Sequence, residues 1–407
     1  MTGRDPNEEH RAATPLELLF DLTFVVAFGL AADQLAHLLA EGHFVAGITG
    51  FVLAMVSVTW AWTNCTWFAS AYDTDDWVSR VATMVQMVGV LILALGLPEM
   101  FHSIDAGEVL HNEVMVAGYV VIRLALVTQW LRAARHDPSR RRASLATAWV
   151  IALAQVGWIA ILMLRTAPLA VLLSVIAIVI LLDFFSPFII ETRLGGIPWH
   201  AHHLAERYGL LTIIALGESI FGTIASVSAI VEEEGWSTEA IIVIVAGTAL
   251  TFGMWWVYFI APSGMILHRY RHRGLAVSYA HLLLYTSIGA TGAGLHVAAY
   301  LIEGDAHISE VAAVLTVVIP VLIYVVTVFV LYSYLVSAID PFHGALVAGT
   351  VALLALSVVL VGLGMTMGVS LLIAAAAPLV TVIGYETLGY RHEEAALQRV
   401  LGSEKTD

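Results

Sequence analysis

The feature that most constrains this chain is a series of apolar stretches, each long enough to cross a bilayer. A helical span needs about 20 apolar residues for a hydrocarbon core of roughly 30 Å. The windows that meet this need are 16–39, 44–70, 78–97, 112–133, 143–164, 168–190, 204–229, 238–261, 275–302, 309–336, 342–365 and 369–389. Charged residues make up only 12% of the chain, too few to coat a soluble globule. The sequence therefore predicts an all-α polytopic membrane protein with about twelve transmembrane helices, and the lipid bilayer as its surroundings.

The basic residues predict the orientation of these spans. With the N-terminus inside, fifteen of the eighteen Lys and Arg residues fall in inner segments and one, Arg165, in an outer loop. The remaining two, Arg123 and Arg207, lie within spans. Because inner loops of membrane proteins are enriched in Lys and Arg, both termini are predicted to be cytoplasmic, in a multi-pass protein of the cell membrane.

A weak internal repeat divides the spans into two sets of six. The stretches Glu17–Thr23 and Glu206–Thr212 each open a span and align at an offset of 189 residues. At the same offset Trp67 aligns with Trp256. An even number of spans per half predicts parallel repeats about an axis along the membrane normal. The predicted segments are a cytoplasmic N-terminal segment 1–15, a first repeat 16–190, a cytoplasmic linker 191–203, a second repeat 204–390 and a cytoplasmic tail 391–407.

Two rare residue types exclude several kinds of chemistry. The single lysine, Lys405, lies at the C-terminus, which argues against a Walker A phosphate loop and against Schiff-base cofactors. The single cysteine, Cys65, excludes disulfide frameworks and thiolate zinc or iron–sulfur sites. The net charge of −14 argues against a nucleic-acid partner. We therefore expect no cofactor and no metal, and we interpret His200 and His203 as interfacial residues.

Three stretches carry a resemblance to a known family. They are Glu17–Phe28, Thr66–Asp76 and His203–Ser219, the last with a Glu-Arg pair and a Gly-Glu-Ser inside one span. Together they resemble the bacterial low temperature requirement A family, over nearly the whole chain. The resemblance implies an integral membrane protein and carries no substrate or reaction with it.

Charged residues within spans are costly and usually have partners or a function. Several such groups share the predicted cytoplasmic half, which indicates a vestibule that binds a cation, a proton or a cationic solute. The alternative is that many of them are helix-end and interface groups. Thr14 and Glu17, for instance, form a capping-box pattern. The candidate binding residues are Asp21, Asp73, Asp75, Asp76, Arg123, Asp183, Glu206, Arg207, Glu218 and His281.

Arg123 and Glu218 are predicted to lie at similar depths near the membrane midplane. Because an unpaired arginine there is costly, we expect the two side chains to pair. The pair is interpreted either as a gate or proton-linked switch, or as a static lock between two helices.

These features favour a secondary transporter or permease of a small solute or ion, with an acidic vestibule facing the cytoplasm. The alternatives are an intramembrane enzyme and an envelope sensor or assembly factor. No catalytic residue is proposed, because no converging nucleophile and base are found. The sequence does not predict the solute, the coupling ion or the oligomeric state.

Overall fold

The apolar windows fold as helices, and the described part of the chain contains no β-strand. The computed structural model describes residues 3–5, 8, 11–107, 109–164, 169–338 and 340–401; Arg165 and Lys405 lie outside these ranges. The α-helices are α1 (Pro15–Ala40), α2 (Phe44–Tyr72), α3 (Trp77–Leu95), α4 (Leu97–Asp105), α5 (Glu113–His136), α6 (Arg141–Met163), α7 (Leu169–Arg193), α8 (Ala201–Glu234), α9 (Thr238–Phe259), α10 (Ser263–Arg269), α11 (Gly274–Glu303), α12 (Glu310–Val336), α13 (Pro341–Gly362), α14 (Met367–Gly384) and α15 (Tyr390–Leu401). A π-helical turn, Tyr385–Gly389, joins α14 to α15.

The helices have the length and surface of membrane spans. In the described chain, eleven helical segments are long and apolar enough to cross a membrane. The remaining predicted window, 204–229, falls on α8, which has 34 residues. The outer face of α7 exposes large apolar side chains such as Ile178, Leu181 and Phe185, each more than half exposed. Such a surface suits lipid rather than water, and the all-α polytopic membrane fold is confirmed.

Local sequence determines where several helices begin. Asp76, Ser237 and Ser309 precede α3, α9 and α12, and their side chains accept hydrogen bonds from backbone N–H groups of the first turn. Such caps satisfy donors that have no partner inside the helix. α11 ends at Gly304, whose left-handed conformation (φ of 83°) suits a residue without a Cβ atom.

Internal contacts divide the chain into two units. Unit 1 comprises Met1–Ala31 and Leu53–Arg207. Within it α3 packs on α5, α5 on α6 and α6 on α7. The α3–α5 contact is close because glycines face it: a Cβ atom on Gly118 would lie 2.2 Å from the backbone nitrogen of Leu93. Small residues let membrane helices approach to backbone distance.

Unit 2 comprises Ala32–Val52 and Tyr208–Asp407. Its main contacts are α11 with α12, α9 with α14, and α13 with α14. Gly294 of α11 allows a similarly close helix contact in unit 2: a Cβ atom there would lie 2.5 Å from the carbonyl oxygen of Thr316. The predicted division into two six-helix repeats stays a prediction.

The glycine contact gives a test of the packing in unit 1. Gly118→Ala is expected to lower stability by roughly 1–3 kcal/mol, because the added methyl group meets backbone rather than a movable side chain. Gly344→Ala is the control: nothing lies within 4 Å of its Cβ position, and alanine is the better helix former. Thermal unfolding in detergent measures both changes. Equal losses in the two variants would contradict the close α3–α5 packing.

Candidate functional site

A buried arginine, Arg207, lies between two carboxylates of α1. Its Nη1 donates to Glu17 Oε1 at 2.7 Å, and its Nη2 donates to Asp21 Oδ1 at 2.6 Å. Its Nε also donates to Asp21 Oδ2, at 3.2 Å. Glu17 and Asp21 are four residues apart and so lie on one face of α1. The arginine side chain is 1% exposed, so this is a buried ion-pair network rather than a surface contact.

Glu17 both caps α1 and binds Arg207. The predicted capping box forms: Thr14 Oγ1 accepts from the Glu17 N–H at 3.2 Å, and Glu17 Oε2 accepts from the Thr14 N–H at 2.8 Å. The Nε2 atom of His203 lies 3.1 Å from Glu17 Oε1. From the sequence, capping and a functional contact were alternative interpretations of such groups. One carboxylate has enough acceptor sites for Glu17 both to cap α1 and to bind Arg207.

Trp62 of α2 completes this network. Its indole N–H donates to Asp21 Oδ1 at 2.6 Å, and its ring lies 5.8 Å from the guanidinium carbon of Arg207. Glu17, Asp21, Trp62, His203 and Arg207 are called the Arg207 cluster below. The network joins α1, α2 and α8, and removing any one charge would leave another buried without its partner.

Arg123 forms a second buried ion pair. Its Nη2 donates to Asp183 Oδ1, and the Tyr119 hydroxyl donates to Asp183 Oδ2 at 3.3 Å. The Arg123 guanidinium carbon lies 5.6 Å from the centre of the Tyr119 ring. The Arg123 side chain is fully buried. One positive and one negative charge make this pair neutral, and it joins α5 to α7.

The carboxylate that pairs with Arg123 within unit 1 is Asp183, which the sequence did not indicate; the predicted pairing with Glu218, a residue of unit 2, stays a prediction. Asp183 lies 10 residues from the end of α7, and Arg123 lies 13 residues from the end of α5. At 1.5 Å per residue these depths differ by about 4.5 Å, which an arginine side chain can span. Counting residues along a helix gives only the depth of a side chain in the membrane, whereas packing decides which helices are neighbours.

A small polar pocket adjoins the Arg207 cluster. Its volume is about 50 Å³, room for about four water-sized spheres. Phe20, Phe68 and Cys65 supply less polar parts of the wall. The charged and amide side chains that line it are Glu17, Asp73, Asp75, Arg80, Gln86, Gln129 and Arg207. This space is called the polar pocket below.

The loop before α3 borders the polar pocket and holds two compensated carboxylates. Asp75 accepts two hydrogen bonds from Arg80, both at 2.9 Å, and the two side chains are each 56% exposed. Asp76 caps α3 and accepts hydrogen bonds from Arg132. These bonds from arginine hold the pKa of both carboxyl groups below the ordinary range. The exposed Asp75–Arg80 pair marks the solvent-accessible end of the polar pocket.

Asp73 differs from the two carboxylates that follow it. Its Oδ1 accepts one hydrogen bond, from the Asp75 backbone N–H at 2.9 Å, and no arginine in the described part of the chain bonds to it. Burial raises the pKa of Asp73 above its ordinary value, and the charge of Glu17 adds to this shift. Asp73 is thus a pocket carboxyl group that holds its proton more strongly than usual.

The remaining predicted residues have other surroundings. Glu206 is exposed and Glu218 is half-buried. His281, in unit 2, is buried; its Nε2 lies 2.7 Å from the Tyr258 hydroxyl and its Nδ1 lies 2.7 Å from the carbonyl oxygen of Val277. Asp73, Asp75 and Arg207 line the polar pocket, whereas Asp21 and Asp183 are held in buried ion pairs.

Two buried glutamines of the polar pocket were not predicted from the sequence. Gln86 of α3 donates from Nε2 to Gln129 Oε1 of α5 at 2.8 Å, and both side chains are buried. A signal was available, because each glutamine is a polar residue within a window long enough to span a membrane. An uncharged amide is less unusual in a membrane span than a carboxylate, and nothing in the sequence indicated that the two glutamines would face each other.

The comparison with known families identifies the class of the protein. The profile of the bacterial low temperature requirement A protein matches residues 12–378, which include the Arg207 cluster, the Arg123 pair and the polar pocket. The chain belongs to the bacterial low temperature requirement A family. The resemblance predicted from three sequence stretches is confirmed.

A curated relative of this low temperature requirement A protein comes from Rhizobium meliloti (strain 1021) and is described as an uncharacterized protein. The two are 28% identical over 264 residues, which cover 63% of this chain. The chain matches 60% of the length of that relative. No solved structure matches the chain significantly.

The Arg207 cluster gives a test of buried charge. Arg207→Gln leaves Glu17 and Asp21 without a buried cation and should lower stability by about 3–5 kcal/mol. The double variant Arg207→Gln/Asp21→Asn should recover part of this loss, because it removes one stranded charge. Arg80→Gln is the control and should barely change the melting temperature, since that pair is solvent-exposed. Thermal unfolding of the purified protein measures all three, and a double variant less stable than Arg207→Gln would refute the pairing.

Asp73 gives a test that depends on pH. Because the pKa of Asp73 is raised in the folded state, the wild type loses stability as pH rises through the folded-state pKa. Below the unfolded-state pKa Asp73 is protonated in both states, so its titration makes no difference between the wild type and Asp73→Asn. Asp73→Asn should therefore unfold at a higher temperature than the wild type at neutral pH, and at the same temperature below about pH 4. The measurement is the melting temperature of both proteins across this range. A stabilisation that does not change with pH would argue against a buried carboxyl group.

Proposed function

We propose that the protein is a secondary transporter or permease of a small solute or ion in the cell membrane, and that the polar pocket is its solute site. The single observation that carries the proposal is the polar pocket itself. It lies within helices that have the length and surface of membrane spans, and two members of a buried ion network, Glu17 and Arg207, form part of its wall. Charged groups at such positions in membrane proteins mark solute and ion pathways.

The energetics support a functional role for the buried charges. A well-packed apolar pair is often as stable as a buried ion pair, or more stable. The Arg207 cluster and the Arg123 pair therefore need a reason other than stability. A pathway for a polar solute is such a reason, because polar walls replace part of the hydration shell that the solute loses on entry.

The distribution of basic residues supports a cytoplasmic opening. The Asp75–Arg80 end of the polar pocket belongs to the connection between α2 and α3, which carries Arg80 and counts as an inner segment by the Lys and Arg rule. Both termini are then cytoplasmic as well. This orientation is part of the proposal.

Flux measurements on reconstituted protein test the transport role. Gln86→Leu should lower the uptake of radiolabelled sodium, rubidium or methylammonium by about tenfold or more, because it removes a buried polar group worth about 1–3 kcal/mol. Gln155→Leu is a matched control: Gln155 is equally buried, on α6, and bonds to its own helix rather than lining the polar pocket.

Protein-free liposomes give the background of that experiment. Uptake that is no faster with wild-type protein, for any of the three probes, would refute transport of small cations. Chemical conversion of a probe by detergent-solubilised protein without a gradient would favour the intramembrane enzyme instead.

Cys65 gives an independent test of sidedness. It lines the polar pocket and is the only cysteine in the chain, so thiol labelling reports on this one position. Silver ion, a thiol-reactive monovalent cation small enough for the polar pocket, should react with Cys65 in inside-out vesicles and not in right-side-out vesicles, as read by the loss of maleimide labelling after denaturation. Cys65→Ser supplies the unlabelled background. Labelling from the outer face alone would contradict the cytoplasmic opening.

A further inference from the structure

We infer that the polar pocket takes up one positive charge at a time, a small monovalent cation that competes with a proton for the Asp73 carboxylate. This inference rests on the proposed function and deepens it by naming the chemical class of the ligand. Three observations carry it: the balance of charges around the polar pocket, the hydrogen bonding of Asp73, and an unpartnered amide oxygen in the wall.

The charges around the polar pocket do not balance. Four guanidinium groups and five carboxylates surround it, so the net charge of these groups is one negative charge. The carboxylates are Glu17, Asp21, Asp73, Asp75 and Asp76, and the arginines are Arg11, Arg80, Arg132 and Arg207. Burial lowers the pKa of Arg11 only to about 10, so this residue is charged at neutral pH.

His203 does not supply the missing positive charge. Its ring is buried; Nε2 faces Glu17, and Nδ1 has no hydrogen-bond partner among the described residues. A doubly protonated ring would leave a charged N–H group buried and unpaired at Nδ1, which is costly. The neutral ring, donating from Nε2 to Glu17, avoids this cost. The net negative charge around the polar pocket therefore remains.

Asp73 is the one carboxylate of these five that accepts no hydrogen bond from an arginine among the described residues. Each of the other four carboxylates accepts a hydrogen bond from an arginine: Glu17 and Asp21 from Arg207, Asp75 from Arg80, and Asp76 from Arg132. Asp73 accepts only from the Asp75 backbone N–H. The nearby Arg11 donates its hydrogen bonds to the carbonyl oxygens of Ser70 and Ala69 instead.

Gln86 provides an observation that is independent of the acidic groups. Its side chain is 2% exposed and lines the polar pocket, and its Oε1 accepts no hydrogen bond from the described residues. This oxygen is not sealed from water, so it can accept a hydrogen bond from a species in the polar pocket or coordinate a cation there. Amide and carboxylate oxygens together suit hard cations and ammonium groups.

The size of the polar pocket and its donor set limit the ligand further. A volume of about 50 Å³ admits a single small ion or a primary ammonium group, with at most a few water molecules. Among the described residues, no group of three or more His, Cys, Asp or Glu side chains could hold a metal ion. A monovalent cation needs no such group, because one carboxylate balances its charge.

Exchange at Asp73 is balanced in atoms and charge. Before exchange the proton is bonded to an Asp73 carboxyl oxygen in the protonated form of the site. When the cation enters, that O–H bond breaks, the proton leaves to water, and the carboxylate pairs with the cation. One proton is released for each cation bound, and the net charge of the occupied site is unchanged.

Proton release from the full-length protein in detergent tests this exchange. Sodium, potassium and methylammonium chloride are added in turn to lightly buffered protein, and a pH-indicator dye reports the protons released from roughly pH 4, near the ordinary pKa of an aspartate, up to pH 8. At least one of the salts should release up to one proton per chain at the acidic end, and less as pH rises because Asp73 is then already ionised. Choline chloride controls for ionic strength.

Variants identify the group that releases the proton. Asp73→Asn should abolish the release and weaken cation binding by at least about tenfold, whereas Asp73→Glu should restore both in part. Asp137→Asn is the matched control: Asp137 also follows a helix in unit 1 and caps the next turn, but it does not line the polar pocket. Release that survives in Asp73→Asn, or no release from wild-type protein with any of the three salts, would overturn the inference.

The outcomes also separate this inference from the proposed function. Proton release in detergent without flux in liposomes would refute transport and keep the cation site. Flux of an added solute without proton release would keep transport and refute exchange at Asp73.

Discussion

The interaction on which the rest of this structure depends is the neutralisation of Arg207 by Glu17 and Asp21. A guanidinium group that is 1% exposed needs counter-charges at hydrogen-bond distance, and both carboxylates come from successive turns of α1. Trp62 of α2 and His203 of α8 bond to the same carboxylates. The first, second and eighth helices therefore share one electrostatic centre, and their positions in unit 1 are mutually constrained. Two residues of this centre, Glu17 and Arg207, also line the polar pocket.

The two buried ion networks differ in how completely they are compensated. Arg123 and Asp183 carry one charge each, and Tyr119 donates to the carboxylate without altering that balance. Around the polar pocket, carboxylates outnumber arginines by one, and Asp73 lacks an arginine partner. A neutral pair far from solvent suits a fixed connection between α5 and α7. An unbalanced set beside an open pocket suits a site that exchanges a charged ligand.

Much of the site could be predicted from sequence, residue by residue, and the failures share one cause. Asp73, Asp75 and Arg207 were identified because charges in or beside an apolar span are rare and costly. Glu17 was interpreted mainly as a helix cap, which it is, but no local pattern indicated that the same carboxylate would also bond to Arg207. Gln86 and Gln129 were overlooked, and the pairing of Arg123 with Asp183 was not predicted. Each failure concerns contacts between helices that lie far apart in the chain.

The amino-acid sequence by itself determined the helical membrane fold, the helix positions and the family. Those properties depend on local information: the length of an apolar run, the caps at its ends and the identity of short motifs. Only the tertiary structure decided that Arg123 pairs with Asp183, that two glutamines face each other, and that Asp73 is left without an arginine. The depth of a residue follows from counting along its own helix, at about 1.5 Å per residue. Its lateral neighbours depend instead on close contacts between helices, such as the approach of Gly118 to Leu93, which no single segment specifies.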